Sequence, residues 1–326
     1  MSSIPLTIVP ENICPDVVGR AEAFEAVSDV FGAMARGDAW NFPVVRESLG
    51  HADALYGFKS GFDRAGLVLG LKSGGYWPGN MDKGLTNHQS TVFLFNPNTG
   101  QPLAIVGGNY LTAVRTAASS AVSIAHLSRE DSKVLGMVGA GHQAQFQLRA
   151  AVEQRNFEKV VAWNYHPDML PKLGAVAEEL GLPFEAVSRE ELGDQADAII
   201  TITSSHDAQL MKGWIKPGTH IACMGTDTKG KKEVDPALVA AASVFTDEIA
   251  QSISIGETQH AIADGLISED QITPIGAVIN GAHAGRTSDD EITLFDGTGV
   301  GLQDLAVASV AMKLAVEKGL AQQIAI

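Results

Sequence analysis

The chain has 326 residues, 45% of them hydrophobic and 19% charged, so it is long enough for two folded domains and lacks a disordered composition. Its formal net charge of −15 disfavours phosphate backbones and anionic lipid, and we predict neither a nucleic-acid partner nor a membrane partner. Two cysteines, no Cys-x-x-Cys motif and an N-terminus without a signal-peptide pattern predict a cytoplasmic protein with no metal site.

The first third of the chain predicts one helix followed by an antiparallel sheet. Apolar residues recur at helical spacing over residues 20–36. Extended segments at 54–62, 67–75 and 90–108 are bounded by turn residues, and NPNTG within the last segment predicts a hairpin. An Ala/Ser/Thr-rich stretch over residues 109–128 then predicts a long helix.

From residue 133 onwards, short apolar strands alternate with helices, including those predicted at 142–155 and 167–180. This alternation predicts a parallel sheet that is covered by helices on both faces. The predicted strands are 133–139, 159–164, 183–188, 197–203, 220–225 and 243–248.

The last part of the chain predicts a strand at 292–299 and a helix at 300–319 that packs back on the first domain. We therefore expect an α/β protein with two domains. A Rossmann-type, doubly wound parallel sheet is expected over residues 116–302, and an α+β substrate-binding and dimerisation domain is expected from 1–115 together with 303–326.

The segment VLGMVGAGHQA carries the sharpest local signal. It places Gly139, Gly141 and Ala144 in the G-x-G-x-x-A positions, after a predicted strand and before a predicted helix. The first glycine permits a tight turn, the second lets the backbone approach a pyrophosphate, and the small third residue lets the helix pack on the strand. We predict dinucleotide binding here, with a purely structural glycine turn as the alternative.

The strand predicted at 159–164 ends at Asn164, where the side chain usually contacts the adenosine ribose. An acidic residue selects NAD at this position, whereas a nearby arginine suits NADP. Asn164 can bond the ribose without repelling a 2′-phosphate, and His166 could help to bind that phosphate. No Arg or Lys follows closely, which favours NAD(H) as the cofactor.

Five segments together resemble the ornithine cyclodeaminase/mu-crystallin family along nearly the whole chain. They are GLKSGGYWPGN, LTAVRTAASSA, VGAGHQA, TDTKGKKEVD and DEITLFDGTGVGLQDLA. The resemblance implies a Rossmann domain, a second domain that forms a homodimer, and chemistry on amino acids or their imines with NAD(P)(H). A closer likeness, in NFPVVRESLGHADALYGFKSGFDRAG and CMGTDTKGKKEV, is to members that reduce iminosuccinate to L-aspartate with NADH.

Other functions remain open within and outside this resemblance. The chain could be an ornithine cyclodeaminase, or another amino-acid dehydrogenase or ketimine reductase of the family. It could also be a crystallin-like protein that holds a dinucleotide and a ligand without turnover. The sequence Asp-Gly-Thr-Gly at 296–299 departs from the bulkier Ser-Val pair of cyclodeaminases, which puts ornithine as a substrate in doubt.

The resemblance also implies roles on the substrate side. Arg46 would face the substrate carboxylate, and Lys72 would contact the substrate near the reacting carbon. Asp227 would stabilise the iminium, because a carboxylate beside the nitrogen favours its protonated form. Thr298 would lie at the closing wall of the site. We add Lys59, on a strand expected to pair with that of Lys72, as the candidate for a second substrate carboxylate.

On the cofactor side, the resemblance assigns Arg115 to a phosphate. No carboxylate lies three or four positions from Arg115 in its predicted helix, which also suggests an external anion. The other residues implied to lie near the cofactor are His142, Gln143, Thr203, Ser204, Lys231 and Gly297.

Simpler interpretations compete with several of these roles. Lys72 could protect the edge of a sheet, and Arg115 could be a solvated helical residue. Asp227 could form an ion pair with Lys229 or Lys231 instead of facing a substrate.

Overall fold

The computed structural model describes residues 5–326, which divide into two compact units. The first unit joins the chain up to Arg115 with Val300–Ile326, so it is discontinuous in sequence. The second unit is the continuous segment Thr116–Gly299. Within the part of the chain that is described, no helix is both long enough and apolar enough to cross a membrane.

Residues 5–326 contain sixteen strands, arranged in two sheets. The strands are β1 (Pro5–Val9), β2 (Ala39–Asn41), β3 (Val45–Ser48), β4 (Leu55–Asp63), β5 (Val68–Tyr76), β6 (His88–Phe95), β7 (Pro102–Gly107), β8 (Val134–Val138), β9 (Lys159–Trp163), β10 (Phe184–Ala186), β11 (Ala198–Thr201), β12 (His220–Cys223), β13 (Ser243–Thr246), β14 (Ile272–Pro274), β15 (Thr293–Asp296) and β16 (Gln322–Ala325).

The same residues contain eleven α-helices and five short 3-10 helices. The α-helices are α1 (Cys14–Val17), α2 (Arg20–Ala35), α3 (Asn109–Leu127), α4 (Ala144–Ala151), α5 (Leu170–Glu179), α6 (Arg189–Gln195), α7 (Pro236–Val239), α8 (Ile249–Ile255), α9 (Gln259–Ala263), α10 (Ile275–Ile279) and α11 (Gly301–Glu317). The 3-10 helices are Glu11–Ile13, Met81–Lys83, Pro167–Met169, Lys212–Trp214 and Glu269–Gln271.

The sheet of the first unit has the strand order β16-β1-β7-β6-β5-β4-β2, with β3 also paired to β4. Its strands from β4 to β7 form antiparallel neighbours, as the turn signals predicted. The prediction of a purely antiparallel sheet is nevertheless wrong, because β1 pairs with β7 in parallel. The segment Pro5–Val9 is short and lies far from β7 in sequence, so local turn signals gave no sign of this pairing.

The second unit has a parallel sheet with the order β10-β9-β8-β11-β12-β15-β13-β14. From β10 to β12 this is the usual order of a dinucleotide-binding Rossmann sheet, in which the direction of winding changes between the first and fourth strands, here β8 and β11. The strands are nearly continuous apolar runs, since helices cover both faces. Ligands in such sheets bind beyond the carboxyl ends of the strands, next to the change of winding.

Candidate functional site

The glycine-rich turn after β8 lies at this change of winding. Gly139 has φ +110°, and a Cβ there would lie 2.6 Å from the carbonyl oxygen of Ile202, so a larger residue is excluded. A Cβ on Gly141 would meet nothing within 4 Å, which leaves open space above the turn. The helix predicted from residue 142 begins two residues later, at Ala144, so its N-terminus follows directly after the turn. The turn therefore has the shape and the local dipole to receive a pyrophosphate.

The side chain of Gln143 provides a second sign that a ligand fits this turn. Its Oε1 atom is buried and has no hydrogen-bond donor among residues 5–326. Buried polar oxygens are usually satisfied, so an external donor is expected here. His142 is exposed beside it, with its ring 5.5 Å from that of Phe146, whereas Ser204 is exposed on the loop after β11.

Asn164 is tied to the glycine-rich turn. Its Oδ1 accepts a 3.0 Å hydrogen bond from the N–H of Ala140, and its Nδ2 donates a 2.8 Å bond to the carbonyl of His166. Gly139 is tied to the same strand end, since its N–H donates to the carbonyl of Trp163 at 2.9 Å. Asn164 thus braces the turn, a role that the sequence did not indicate, and contact with the ribose stays a prediction.

Asp227 and Lys231 form an ion pair on the loop after β12, with the Nζ and Oδ1 atoms 2.7 Å apart. The hydroxyl of Thr228 donates to the same oxygen, and Lys231 also donates to the carbonyl of Gly225. The ion-pair alternative raised from the sequence is therefore present. The pair also brings together the residues expected on the substrate side and on the cofactor side.

Buried glutamates, which the sequence analysis missed, hold the loops around Asp227. Glu233 accepts hydrogen bonds from the N–H and hydroxyl of Thr203, from the N–H of Gly225 and from the hydroxyl of Thr201, at 2.6 to 2.8 Å. Glu257 in turn accepts hydrogen bonds from the backbone N–H groups of Glu233 and of the residue that follows it, at 2.8 to 3.1 Å. Thr203 is thus fixed by its backbone and side chain, which limits what its hydroxyl can offer to a ligand.

Thr298 is 1% exposed, so its side chain is buried within the second unit. Its hydroxyl donates a 2.6 Å bond to Asp247, which also accepts from the N–H groups of Thr298 and Gly299. A Cβ on Gly297 would lie 2.6 Å from the end of the Met224 side chain, so a larger residue here would require that side chain to move. The hydroxyl of Thr298 supports the loop, and this burial speaks against the direct substrate contact expected from the sequence.

Lys72 lies at the centre of a group of buried polar side chains in the first unit. We call this group the Lys72 cluster, and its members are Lys72, Arg115, Gln303 and Asp304. Lys72 lies on β5, between two other strands, and is 7% exposed, so the edge-strand interpretation is wrong. Its Nζ lies 2.9 Å from Oδ2 of Asp304, and Nε of Arg115 lies 3.0 Å from Oδ1 of the same carboxylate. Arg115 also donates to Gln303 at 2.9 Å.

Charge and burial shift the pKa values in this cluster. Burial lowers the pKa of Lys72 to about 7, with Arg115 and Lys59 acting in the same direction and Asp304 opposing them. Burial raises the pKa of Asp304, but Arg115 and Lys72 outweigh it and hold the pKa below its ordinary value. Lys72 can therefore gain or lose its proton near neutral pH, whereas Asp304 is ionised.

The strand register brings other candidates to the same face of the sheet as Lys72. Lys59 on β4 is directly opposite Lys72; the sequence predicted that these two strands pair, and the structure adds the register. Arg46 on β3 is opposite Gly57, which is opposite Gly74 on β5, two residues beyond Lys72. Residues two apart on a strand share a face, so Arg46, Lys59 and Lys72 project to one side.

His88 lies at the start of β6 opposite Tyr76, on the same sheet face as Lys72. Burial lowers its pKa to about 4, and the charge of Lys72 contributes in the same direction. The imidazole is therefore neutral at physiological pH and adds no charge to the cluster.

Residues 57–319 match the sequence profile of the ornithine cyclodeaminase/mu-crystallin family. The chain belongs to this family. Its relatives include the iminosuccinate reductase of Paracoccus denitrificans (strain Pd 1222), 60% identical over 98% of this chain and 100% of that protein. The crystal structure of the Paracoccus enzyme in complex with NAD+ covers 99% of this chain and 100% of its own, with a TM-score of 0.96.

More distant relatives share the same architecture. An archaeal alanine dehydrogenase dimer with bound NAD is 31% identical, with 98% of this chain and 99% of its own covered and a TM-score of 0.93. The Δ1-pyrroline-2-carboxylate reductase of Thermococcus litoralis, in complex with NADH and L-proline, is 28% identical, with 98% and 100% covered and a TM-score of 0.91. These similarities confirm the family resemblance and the Rossmann-type α/β fold expected from the sequence.

Proposed function

We propose that the chain is an NADH-dependent imine reductase that converts iminosuccinate to L-aspartate. The observation that carries this proposal is the 60% identity to the iminosuccinate reductase of Paracoccus denitrificans over 98% of the chain. The cations around Lys72 support it, because a dicarboxylate substrate needs positively charged partners. The two cysteines are both free and buried, in keeping with the cytosolic location that we propose for this reaction.

Reduction of the imine requires a hydride at carbon and a proton at nitrogen, and NADH supplies the hydride when it is bound. Lys72 and Arg46 are proposed to hold the carboxylate next to the reacting carbon, and Lys59 to hold the second carboxylate. With a pKa of about 7, Lys72 can also hold or release a proton near neutral pH. Asp227 is proposed to stabilise the positive charge of the iminium.

We assign Arg115 to the Lys72 cluster instead of the cofactor phosphate expected from the sequence. Its guanidinium is buried, bonded to Asp304 and Gln303, and close enough to lower the pKa of Lys72. The absence of a carboxylate at helical spacing does not leave Arg115 without a counter-ion, because Asp304 supplies one from a distant part of the chain. Arg115 is proposed to act on the substrate side.

The glycine-rich turn is proposed to hold the pyrophosphate of NADH, with the N–H groups before Ala144 as donors and Gln143 beside them. NADH should be preferred to NADPH, since Asn164 adds no positive charge for a 2′-phosphate.

Gly141→Val places a side chain in the space above the turn and should weaken NADH binding at least tenfold in a fluorescence titration. Gly213→Val is the control, because a Cβ there also meets nothing within 4 Å. Equal affinity in both variants would contradict the assignment.

A homodimer is proposed to cover the apolar face of the first sheet. The register puts Leu71, Phe93 and Ile105 in one row on this face, with Phe58 in the next row. Phe58 is 40% exposed and the other three are half-buried, whereas Val92 on the opposite face is fully buried. An exposed apolar sheet face of this kind is expected to be buried against another protein surface.

The related archaeal alanine dehydrogenase is a dimer. Light scattering at micromolar concentration should give twice the chain mass, and a monomer would contradict the proposal.

The substrate is tested with NADH, oxaloacetate and ammonia, which together form iminosuccinate in solution. We expect NADH oxidation that depends on ammonia, and formation of L-aspartate as the product. L-Ornithine with NAD+ should release no ammonia. Conversion of ornithine to proline would replace this proposal with a cyclodeaminase, and tight NADH binding without turnover of any imine would indicate a binding protein.

A further inference from the structure

Asp304, which neither the sequence motifs nor the proposed reaction assign to a role, holds two cations at once. It lies in the first turn of α11 and is 1% exposed. Its Oδ2 lies 2.9 Å from Nζ of Lys72 on β5, and its Oδ1 lies 3.0 Å from Nε of Arg115 on α3. One carboxylate thus fixes the ammonium and the guanidinium on its two oxygens.

Close packing of α11 on the sheet makes this arrangement possible. A Cβ on Gly301 would lie 2.9 Å from the backbone nitrogen of Ser60, and a Cβ on Gly70 would lie 3.0 Å from the side chain of Leu305. The start of α11 therefore rests directly on β4 and β5, on the face that carries Lys72. The N-terminal end of a helix also favours a negative charge, which helps to keep Asp304 ionised.

The cluster carries more positive than negative charge. The groups that face Lys72 are Asp304 from α11, Arg115 from α3, Lys59 from β4 and the neutral His88 from β6. Among these described groups, Asp304 is the single anion. Burying an excess cation is unfavourable unless an anion joins it, so the cluster is suited to receive a carboxylate.

We propose that Asp304 is a positioning residue for imine reduction, which favours the protonated form of Lys72 and holds it beside Arg115 so that both cations engage one substrate carboxylate. This inference rests on the proposed function. A purely structural ion pair is the alternative, and it makes a different prediction. It would affect the stability of the fold, whereas a positioning residue also controls how activity varies with pH.

The test uses Asp304→Asn, which removes the charge and preserves the shape. The matched control is Glu317→Gln, which removes an exposed carboxylate from the last turn of the same helix. The value of kcat/KM is measured with NADH, oxaloacetate and ammonia from pH 5.5 to 8.5. Each value is divided by that of the wild type at the same pH, because this ratio cancels the pH dependence of imine formation.

We expect the ratio for Asp304→Asn to fall on the order of tenfold or more as the pH rises, since an amide stabilises the ammonium of Lys72 far less than a carboxylate does. The ratio for Glu317→Gln should stay near one throughout. A ratio for Asp304→Asn that does not change with pH overturns the proposal and leaves a structural ion pair.

Asp304→Glu covers the case in which the asparagine variant does not fold. It keeps the charge but moves it by one methylene, so kcat/KM should fall on the order of tenfold at every pH while the NADH dissociation constant is unchanged. Unchanged kcat/KM, or an equal loss of NADH affinity, overturns the proposal. If the wild type reduces a different imino acid, the proposed function fails, and the same ratios with that substrate still decide the role of Asp304.

Discussion

Two groups of buried carboxylates, one in each unit, have partners of opposite kinds. In the first unit, Asp304 is neutralised by Lys72 and Arg115. In the second unit, the described partners of Glu233 and Glu257 are backbone N–H groups and threonine hydroxyls. Burial raises the pKa of Glu257 to about 8, with the charge of Glu233 acting in the same direction, whereas Asp304 has a lowered pKa.

This difference separates two uses of a buried acid. A carboxylate between two cations stays ionised and leaves the group with a net positive charge, which can attract an anionic substrate. Carboxylates surrounded by neutral donors fix loops, and one of two neighbours takes up a proton because two adjacent buried charges are unfavourable. The Lys72 cluster is therefore expected to control activity, and the glutamate pair is expected to control the stability of the loops around Asp227.

The largest effect should come from Lys72→Met, which removes the cation proposed to bind the substrate carboxylate and to hold a proton near the imine. We expect kcat/KM for iminosuccinate to fall by about 10²–10⁴-fold, with little change in NADH affinity. Lys313→Met, on the exposed side of α11, is the control and should be close to wild type. Retention of more than a tenth of wild-type activity would mean that the cluster is structural.

Lys59→Met should give a smaller, more selective loss. The variant removes the cation opposite Lys72. Loss of one charge-assisted contact costs about 1.5–3 kcal/mol of binding free energy, so the Michaelis constant for iminosuccinate should rise roughly 10- to 150-fold. The Michaelis constant for NADH should change much less. A kinetically silent variant would show that another group holds the second carboxylate.

Glu233→Gln tests whether the glutamate pair controls the stability of the loops around Asp227. Both oxygens of Glu233 accept backbone N–H groups, from Thr203 on one side and from Gly225 on the other. A glutamine must turn its own NH₂ towards one of these donors, which should lower the free energy of unfolding by about 1–3 kcal/mol. Denaturant unfolding measures this change. A stability equal to wild type would show that the loop rearranges without cost.

Glu257→Gln should have the smallest effect and the clearest dependence on pH. In the wild type, the pKa of about 8 lies above the ordinary value of 4.5, so its stabilising contribution is complete below pH 4.5 and is lost as the pH rises through 8. A glutamine mimics the protonated acid and cannot ionise. The variant should therefore gain stability relative to wild type between pH 6 and 9. A difference in Tm that stays constant over this range would contradict protonation of Glu257.

Local patterns in the sequence predicted much of the framework that positions these groups. The glycine-rich turn after β8, the helices α3 and α11, and the pairing of the strands that carry Lys59 and Lys72 all follow from patterns within short segments. The partner of Arg115 could not be predicted in this way, because Asp304 lies 189 positions further along the chain. The bonds of Glu233 to Thr203 span 30 positions and depend on two strand ends meeting in a parallel sheet.

The resemblance to the family marked segments without fixing what each residue does. Asp304 lies inside the segment DEITLFDGTGVGLQDLA, which carries part of the family resemblance. Its position, as an acidic residue in the first turn of a mostly apolar helix, was the feature that could have indicated a role for it. Asn164 and Thr298 were assigned to ligands from their positions, yet their side chains bond to Ala140 and Asp247. Short polar side chains at strand ends can bond either to a ligand or to nearby protein groups, and a sequence does not show which of these partners they bond to.

The discontinuity of the first unit has a consequence for synthesis on the ribosome. The second unit, Thr116–Gly299, is complete in the nascent chain before α11 and β16 have been translated. Until α11 emerges, Lys72 and Arg115 lack the carboxylate that neutralises them, and β1 lacks its neighbour β16. The dinucleotide-binding unit can therefore fold first, and the unit that carries Lys72 can be completed only after the final segment of the chain has been translated.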